Sequence, residues 1–455
     1  MVSRRCFLKS AAALTASLSL RPAFARTEQK GWNDVPRILS RISPPRFPKR
    51  TFRVKDFGAV GDGVVDCAPS FRNALERCSR SGGGTIRIPR GTYRCNGPIR
   101  LLSNIHLQLD DGAEVRFGGD ATQYLPPVQV RWEGTRCLNY SPMIYAHGAR
   151  NIAITGNGTI DGGAERFESW LGKQEDDQTL LRRFGRDVVP VSQRAFGANH
   201  FLRPGLFEAY GCRNVLLDGS TFKNSPFWTL HPVFCSNVIF RNLTVLPGLR
   251  YTDDGIDPDS CRDMLIERCQ IQTNDDQIAI KSGRDAEGRN GPPCENIIVR
   301  NCTLSGGKSG AIAVGSEMSG GVRNIFIERC AVPDGEVAIH LKSNTDRGGV
   351  IEDIWVRNLS IGRCKTCIRM ETDYHKVGDH DSPASYRNLH FDRITCESAE
   401  ETALSIVGRE ENPITGLEFS NIHVRKAKNA LELKNTAAVS ATSVTANGVP
   451  IVFRN

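Results

Sequence analysis

One arrangement of polar and apolar positions returns repeatedly along the chain. It reads Asn or Asp, apolar, any residue, apolar, any residue, Asn or Arg, apolar, any residue, apolar. Copies begin at Asn214, Asn237, Asp263, Asn296, Asn324, Asp353 and Asn388, with spacings of 23, 26, 33, 28, 29 and 35 residues. These spacings are too regular for chance and too short for βαβ units. Each repeat predicts two or three short strands whose alternate side chains fill a core shared along a solenoid.

The repeats set the predicted organisation of the chain. We expect residues 51–455 to form one elongated β-solenoid and residues 26–50, rich in Pro and Arg, to form an extended lead-in. One amphipathic helix is predicted at about Ala68 to Arg80, where it would cap the open end of the solenoid. Residues 163–203 interrupt the repeat and predict a charged, irregular loop that borders the functional face.

The first 25 residues have the features of an export signal. Arg4 and Arg5 precede an apolar stretch, which ends at Ala23-Phe24-Ala25. This order predicts a twin-arginine signal peptide and a periplasmic or secreted protein, and the alternative is a short hydrophobic helix of the folded chain. The later sequence has no stretch of ~18 consecutive apolar residues, so we expect no membrane association once the signal is removed.

Charge and cysteine content narrow the possible functions. The net charge is +9, but the cations are scattered among acids, which argues against a nucleic-acid partner. Cys269, Cys302 and Cys330 occupy one place in three successive repeats, so they are interpreted as small core hydrophobes rather than disulfide partners. Cys364 and Cys367 form the only CxxC motif, and without a second pair we expect no metal site.

Two neighbouring repeats carry acidic turns. Asp254 and Asp275 are 21 residues apart, close to one coil, and Asp276 follows directly. Their carboxylates should therefore stack on one side of the solenoid. Glycoside hydrolysis needs one protonated carboxyl group to donate to the leaving oxygen and one ionised carboxylate to activate water. An Asp-rich turn that binds Ca²⁺ or caps strands is the alternative, and spacing alone does not choose between them.

Several ordered motifs resemble a known family. FRVKDFGAVGDGVVD, SPFWTLHPVFCSNV, DDGIDPDSC, NDDQIAIKSGRD and VGSEMSGGVRNI are similar to segments of the polygalacturonases, family 28 of the glycoside hydrolases. The resemblance covers nearly the whole chain after residue 50. It implies an all-β fold, a single-stranded right-handed parallel β-helix with a short N-terminal capping helix. It also implies inverting hydrolysis of pectic chains without a metal or other cofactor, and we expect a monomer.

The resemblance assigns roles to the three aspartates. The family's Asn-x-Asp motif falls on Thr252, Asp253 and Asp254, with threonine in place of asparagine, and its Asp-Asp pair falls on Asp275 and Asp276. Asp275 is then the general acid, and Asp254 and Asp276 hold and deprotonate the water.

Strand alternation extends the predicted site to the next two coils. Aligning IAIKS with IAVGS and IHLKS puts Ser309 one coil above Asp275, and it puts His340 and Lys342 on the outer face. The family carries histidine at the position of Ser309 and arginine at that of His340. These departures predict either a sugar other than plain galacturonate, such as a rhamnogalacturonan-type chain, or a displaced pH optimum.

Four further residues are candidates for substrate binding. Lys281 and Arg284 follow the Asp pair and could reach an anionic substrate, the alternative being solvated surface cations. His231 fits a family motif near the groove, or is a hydrogen-bonded structural histidine. Tyr374 could border the site.

The predicted function is therefore an exported inverting glycoside hydrolase of pectic polysaccharide or oligosaccharide. Two alternatives remain on the same fold. One is a β-helix protein that binds glycans without cutting them, and the other is a pectate-lyase-like eliminase, which would need Ca²⁺.

Overall fold

The computed structural model describes residues 31–376 and 382–453. Parallel strands stack coil upon coil into a right-handed β-helix, which confirms the predicted all-β fold class. The predicted signal peptide, residues 1–25, lies outside the described residues. Among the described residues, no helix has the length and apolar content needed to cross a membrane.

The coils are built from strands on three faces, which we call the first, second and third stack. The first stack contains Thr51–Arg53, Gly84–Ile88, Ile105–Leu109, Arg150–Gly156, Arg213–Asp218, Ser236–Arg241, Arg262–Glu267, Cys294–Arg300 and Val322–Glu328. The second stack contains Asp62–Asp66, Gly91–Cys95, Ala113–Phe117, Thr159–Asp161, Thr221–Lys223, Thr244–Val245, Gln270–Thr273, Thr303–Gly306 and Ala331–Asp334.

The third stack holds the functional face. It contains Ile99–Leu101, Ile144–His147, Phe207–Tyr210, Leu230–Val233, Ile278–Ile280, Gly310–Val314 and Val337–Lys342. Longer strands run on to later coils at Val350–Glu371, Ser385–Val407, Ile414–Val424, Ala427–Lys434 and Thr436–Ala446, and Val449–Pro450 pairs back antiparallel. A separate hairpin is formed by Val128–Trp132 and Thr135–Asn139, with Ala195–Phe196 paired beside it.

The repeated Asn or Asp marks one bend in every coil. Asn214 and Asn237 have φ angles of 61° and 53°, in the left-handed region that these residues tolerate better than most. The side-chain amide of Asn237 donates to Oδ1 of Asn214 at 2.8 Å, and that of Asn214 donates to Oδ1 of Asn151 at 2.7 Å. A polar ladder along the solenoid therefore explains why the motif begins with these residue types.

The core fills with alternate strand residues, as the period-2 pattern predicts. Ile278, Ile312 and Ile339 are in register on successive coils and fully buried. Cys269, Cys302 and Cys330 also stack and are buried, which confirms their interpretation as core residues. Every cysteine in the described residues is a buried free thiol.

Four α-helices occur in the described ranges, besides short 3-10 segments: α1 Val35–Arg41, α2 Ala68–Arg80, α3 Gln174–Arg186 and α4 Asp285–Arg289. Helix α2 has the predicted bounds, and its apolar side chains Phe71, Leu75 and Cys78 are buried against the first coils. The open end of the solenoid is therefore covered, as a β-edge requires.

The prediction of an extended lead-in is wrong for residues 32–41, which are helical, whereas residues 42–50 contain no helix. Residues 31–49 instead form a strap that contains helix α1 and crosses the outer face of the first stack. Val35 and Ile38 pack against outward-facing apolar residues, among them Ile298 and Phe326. Burying these apolar faces against each other stabilises both, because exposed strand faces would otherwise hold apolar surface in water.

The insertion at residues 163–203 is also more regular than predicted. It contains helix α3, whose first turn carries Glu175, Asp176 and Asp177 and whose last turn carries Arg183 and Arg186. This charge order favours a helix, since acids near the N-terminus and cations near the C-terminus complement the helix dipole. The sequence analysis took the charged residues of this segment as typical of a loop, so the predicted irregular loop is wrong for residues 174–186.

Candidate active site

Asp254, Asp275 and Asp276 line one cavity of about 330 Å³ beside the third stack. Ile256 and Ile278 pair as neighbouring rungs, and the N–H of Gly255 donates to the carbonyl of Asp276 at 2.9 Å. The two acidic turns therefore lie on adjacent coils, as their spacing predicted.

Asp276 is held as an anion. Lys342 Nζ donates to its Oδ2 at 2.8 Å, and the backbone N–H of Gly310 donates to its Oδ1 at 2.6 Å. Burial raises the pKa of Asp276, but the charges of Lys342 and Lys281 outweigh burial and lower this pKa below its ordinary value. A side chain at position 310 would meet Cβ of His340 at 2.9 Å, so glycine allows the close approach.

Asp275 and Asp254 are shifted in the opposite direction. Burial, reinforced by the charge of Asp276, raises the pKa of Asp275 to about 6. Burial also raises the pKa of Asp254 well above its ordinary value, with further contributions from Asp257 and Asp275. Of the three aspartates, one is therefore an ionised carboxylate and the other two keep a proton more easily. General acid and base catalysis needs this combination of a proton donor and a proton acceptor.

Asp257 is a fourth buried carboxyl group, which the sequence analysis did not single out. Burial raises its pKa to about 7, and neither of its oxygens accepts a hydrogen bond from the residues that the structure describes. Its position was available in the sequence, because it follows Asp254 by three residues and alternates with the core residue Ile256.

Lys281 connects the acidic turns to the cavity wall. Its Nζ lies 3.4 Å from Asp254, 3.6 Å from Asp257 and 3.2 Å from Glu317. It also lies 4.3 Å from the ring centre of Trp228, which lines the cavity. Burial alone would lower the pKa of Lys281, yet Glu317 and the aspartates raise it well above its ordinary value, so the ammonium stays charged.

A second group of charges forms one end of the cavity. Arg182 donates to Glu133 at 2.8 Å, and Arg284 lies 3.6 Å from Glu133 and 3.7 Å from Glu317. Arg347 lies behind them, 3.9 Å from Glu317. We call Glu133, Arg182, Arg284, Glu317 and Arg347 the end wall.

Comparison with known proteins identifies the family. Residues 198–444 match the model of glycosyl hydrolases family 28, and residues 51–115 match a model described as rhamnogalacturonase A/epimerase, pectate lyase-like. The chain belongs to glycosyl hydrolase family 28. It is a glycoside hydrolase, as the sequence motifs predicted.

Two similar proteins align with this family 28 hydrolase over most of its length. A probable polygalacturonase from Vitis vinifera is 30% identical over 390 residues, which are 82% of this chain and 74% of that protein. An exopolygalacturonase from Thermotoga maritima superposes with a TM-score of 0.84 at 36% identity, covering 90% of this chain and 96% of that one. An endo-xylogalacturonan hydrolase from Aspergillus tubingensis shares the fold, with a TM-score of 0.61 at 18% identity.

Four predicted substrate-binding residues line the cavity of the family 28 hydrolase: Lys281, Arg284, Lys342 and Tyr374. The alternative for Lys281 and Arg284, solvated surface cations, is wrong, because only 3% and 8% of their side chains are exposed. Lys342 Nζ lies 5.2 Å from the ring centre of Tyr374, so the phenol covers the lysine that holds Asp276.

Ser309 lies where strand register predicted. Because Ile278 pairs with Ile312, Ser309 is one coil above Asp275. Its hydroxyl accepts a hydrogen bond from Lys342 at 2.9 Å, so it supports the lysine rather than lining the cavity itself.

The structure does not bring His231 or His340 into the cavity. His231 lies between Glu208 and Asp259, 3.6 Å from each. Burial lowers its pKa, but the two acids raise it more, to about 9. His340 is buried behind Tyr374, with Nε2 2.7 Å from Glu371. Both were predicted to bind substrate, but each is occupied by an acidic neighbour inside the protein.

Sequence reasoning missed most of the end wall. Glu133 and Arg182 come from the hairpin and helix α3, outside the repeats, so no register argument reaches them. Glu317 and Arg347 lie in turns after third-stack strands. In the sequence, Glu317 stands in the VGSEMSGG motif and Arg347 follows the IHLKS segment, and nothing else marks either residue as part of a site.

Proposed function

We propose that this family 28 enzyme hydrolyses galacturonate-containing pectic chains from one chain end. The observation that carries the proposal is a single cavity that holds three carboxyl groups with divided pKa values and is bounded by the end wall. The similar proteins named polygalacturonase and exopolygalacturonase support the substrate class and the end-directed action.

Asp275 is the proposed general acid. Its carboxyl group keeps a proton up to a pH of about 6 and can pass it to the leaving glycosidic oxygen. Asp276 is the proposed base, because Lys342 keeps it ionised, and Asp254 helps to hold the water. Attack by this water from the opposite side of the sugar would invert the anomeric carbon.

Chain-end action follows from the end wall. A sugar chain that enters the cavity would meet the hairpin and helix α3 instead of an open groove. Only a terminal sugar can occupy a subsite that is closed on one side. We therefore propose that the enzyme releases short products and leaves the interior of long chains intact.

The identity of the sugar at the cleavage site rests on two cations. Lys281 and Lys342 are both charged, but each already contacts carboxylates of the protein. Neither supplies the bidentate fork of the family arginine that His340 replaces. Polygalacturonate is the first substrate we propose, and rhamnogalacturonan-type chains are the second.

Product analysis tests these proposals. Wild-type enzyme should release reducing sugar from polygalacturonan, as short products from the start of the reaction, and proton NMR should show the inverted anomer first. A binding protein would be retained on the glycan without releasing sugar. An eliminase would give unsaturated products that absorb in the ultraviolet. Random shortening of the polymer would contradict chain-end action.

Export and oligomeric state are separate proposals. We propose a monomer that leaves the cytoplasm by the twin-arginine pathway and works outside it, without nucleic-acid or membrane partners. Replacing Arg4 and Arg5 by Lys should keep the enzyme in the cytoplasmic fraction. Light scattering of the purified enzyme should give one mass near 50 kDa. A periplasmic or secreted double variant, or a stable dimer, would contradict these proposals.

A further inference from the structure

We propose that Arg182 binds the carboxylate of the terminal sugar at the closed end of the cavity. This inference rests on the proposed function and assigns to one residue the recognition of an anionic chain end. Two elements, helix α3 and the hairpin at residues 128–139, carry Arg182 and Glu133 of the end wall.

Helix α3 is fixed in place by its buried side. Leu181, next to Arg182, packs in a core cluster with Val130, Trp132 and Phe196. Asp177 accepts the backbone N–H of Phe201 at 2.6 Å, one turn earlier in the helix. The Cα of residue 182 is therefore held, and only its side chain can reorient.

The hairpin tip is fixed as well. Glu133 and Gly134 have φ angles of 41° and 76°, as expected for the two central residues of a tight hairpin turn. The carbonyl of Gly134 accepts hydrogen bonds from the backbone N–H of Arg284 at 3.0 Å and from Nε of Arg131 at 3.1 Å. A Cβ at Gly134 would lie 2.8 Å from the side chain of Glu317, so the hairpin tip is packed closely against Glu317 of the end wall.

Arg182 differs from the other wall cations in its exposure. Its side chain is 39% exposed, whereas those of Arg284 and Arg347 are 8% and 3% exposed. Arg182 donates a hydrogen bond through Nη2 to Glu133, and its buried Nε has no partner among the described residues. The buried arginines hold the wall together, while Arg182 keeps donors for a ligand.

A uronate carboxylate fits these donors. The planar guanidinium group can give two parallel N–H bonds to a carboxylate, and such charge-assisted pairs are the stronger hydrogen bonds of proteins. Glu133 also accepts from Gln178 at 2.7 Å, so it keeps a partner when the guanidinium turns toward substrate. Galactose has a neutral hydroxymethyl group in place of the carboxylate, so it would give the guanidinium group no anion to pair with.

Two modified trisaccharides test the inference. Each is trigalacturonate with galactose in place of galacturonate at one end, the non-reducing or the reducing end. For wild-type enzyme, one of the two should have a KM about 10- to 100-fold above that of trigalacturonate, with kcat little changed. Arg182→Gln should raise the KM for trigalacturonate by a similar factor and lose the difference between the trisaccharides.

Controls separate recognition from folding. Arg183→Gln changes the neighbouring exposed residue of the same helix, which does not line the cavity, and should leave KM unchanged. Arg182→Lys keeps the charge and should give an intermediate KM. Thermal unfolding should show equal Tm for all variants. A KM of Arg182→Gln within about twofold of wild type, or an undiminished penalty for the modified trisaccharide, would overturn the inference.

A failure of the proposed function would look different. If wild-type enzyme releases no sugar at all, the hydrolase proposal is wrong. The role of Arg182 can then still be tested by measuring the affinity for trigalacturonate. Calorimetry with Asp275→Asn should then give trigalacturonate an affinity that drops about 10-fold or more on adding Arg182→Gln. Equal affinities of the two proteins would overturn the role of Arg182 on their own.

Discussion

Lys342 Nζ lies 2.8 Å from Oδ2 of Asp276, across coils that are 66 residues apart in sequence. Both groups are buried, so neither can lose its partner without leaving an uncompensated charge in the protein. The pair therefore sets the ionisation state of the proposed base as well as its position.

Replacing Lys342 by Met should move the acid limb of the pH profile. Burial raises the pKa of Asp276 and Lys342 is the strongest of the groups that lower it, so removing Lys342 should raise this pKa. Asp276 would then be protonated at higher pH, so kcat/KM should begin to fall at a higher pH as the solution is acidified. The measurement is kcat/KM against pH, with the exposed Lys308→Met as the matched control. An acid limb at its wild-type pH would remove Lys342 from this role.

Asp275→Asn should lower kcat by about 10²- to 10⁴-fold with little change in KM, because it removes the proton donor and keeps the shape. Asp334→Asn, at an exposed position of a second-stack strand, should be indistinguishable from wild type.

In wild-type enzyme, activity should decline as pH rises through about 6, where Asp275 loses its proton. Steady-state kinetics on polygalacturonan settles both points, and full activity of Asp275→Asn would exclude it as the acid.

Asn214→Ala should destabilise the solenoid by about 2 to 4 kcal/mol, since it removes two side-chain hydrogen bonds and leaves alanine in a left-handed conformation. Asn214→Gly should cost less, because glycine adopts this conformation freely. Denaturant unfolding measures both. Equal losses for the two variants would mean that the backbone conformation contributes nothing to the preference for asparagine.

His231→Gln should cost more stability at pH 6 than at pH 10. The pKa of His231 is about 9 in the folded protein, above its unfolded value, so its protonation stabilises the fold below pH ~6.5 and this contribution is lost as pH rises through about 9. The difference in unfolding free energy between wild type and variant should shrink by on the order of 3 kcal/mol over this range. A constant difference would show that the buried histidine is neutral.

The native protein should resist thiol reagents. All cysteines in the described residues are buried, and burial raises the pKa of several, such as Cys95 and Cys137, well above the ordinary value. Titration with Ellman's reagent should find almost no reactive thiol before unfolding and all of them in guanidinium chloride. Rapid labelling of the folded protein would contradict the buried positions.

The sequence predicted the solenoid and the centre of the site because both depend on repetition. The period-2 pattern placed Ile278, Ile312 and Ile339 in register, and this register put Lys342 and Ser309 beside the acidic turns. Family resemblance then supplied roles for the aspartates, which spacing alone had left open.

The rest depended on contacts between elements that do not repeat. Strand alternation put His340 on the outer face and a family motif put His231 near the groove. Neither signal shows that Glu371 and Glu208 lie beside these histidines. Helix α3 and the hairpin meet through tertiary packing, so their joint wall has no signature in either segment. The strap was missed because its short helix is flanked by proline-rich sequence.

The strap changes how the molecule should come apart. Repeat proteins whose coils touch only their neighbours can fray from one end, one coil at a time. Here Phe47 stacks on His106 near one end of the solenoid, and Trp32 packs far along it on Phe326 and on Arg357 of the next coil. A coil between these points can unfold only if the strap detaches, and the strap also packs on distant coils. The stretch from His106 to Arg357 should therefore unfold as a single unit, while the carboxyl-terminal coils beyond the strap unfold first.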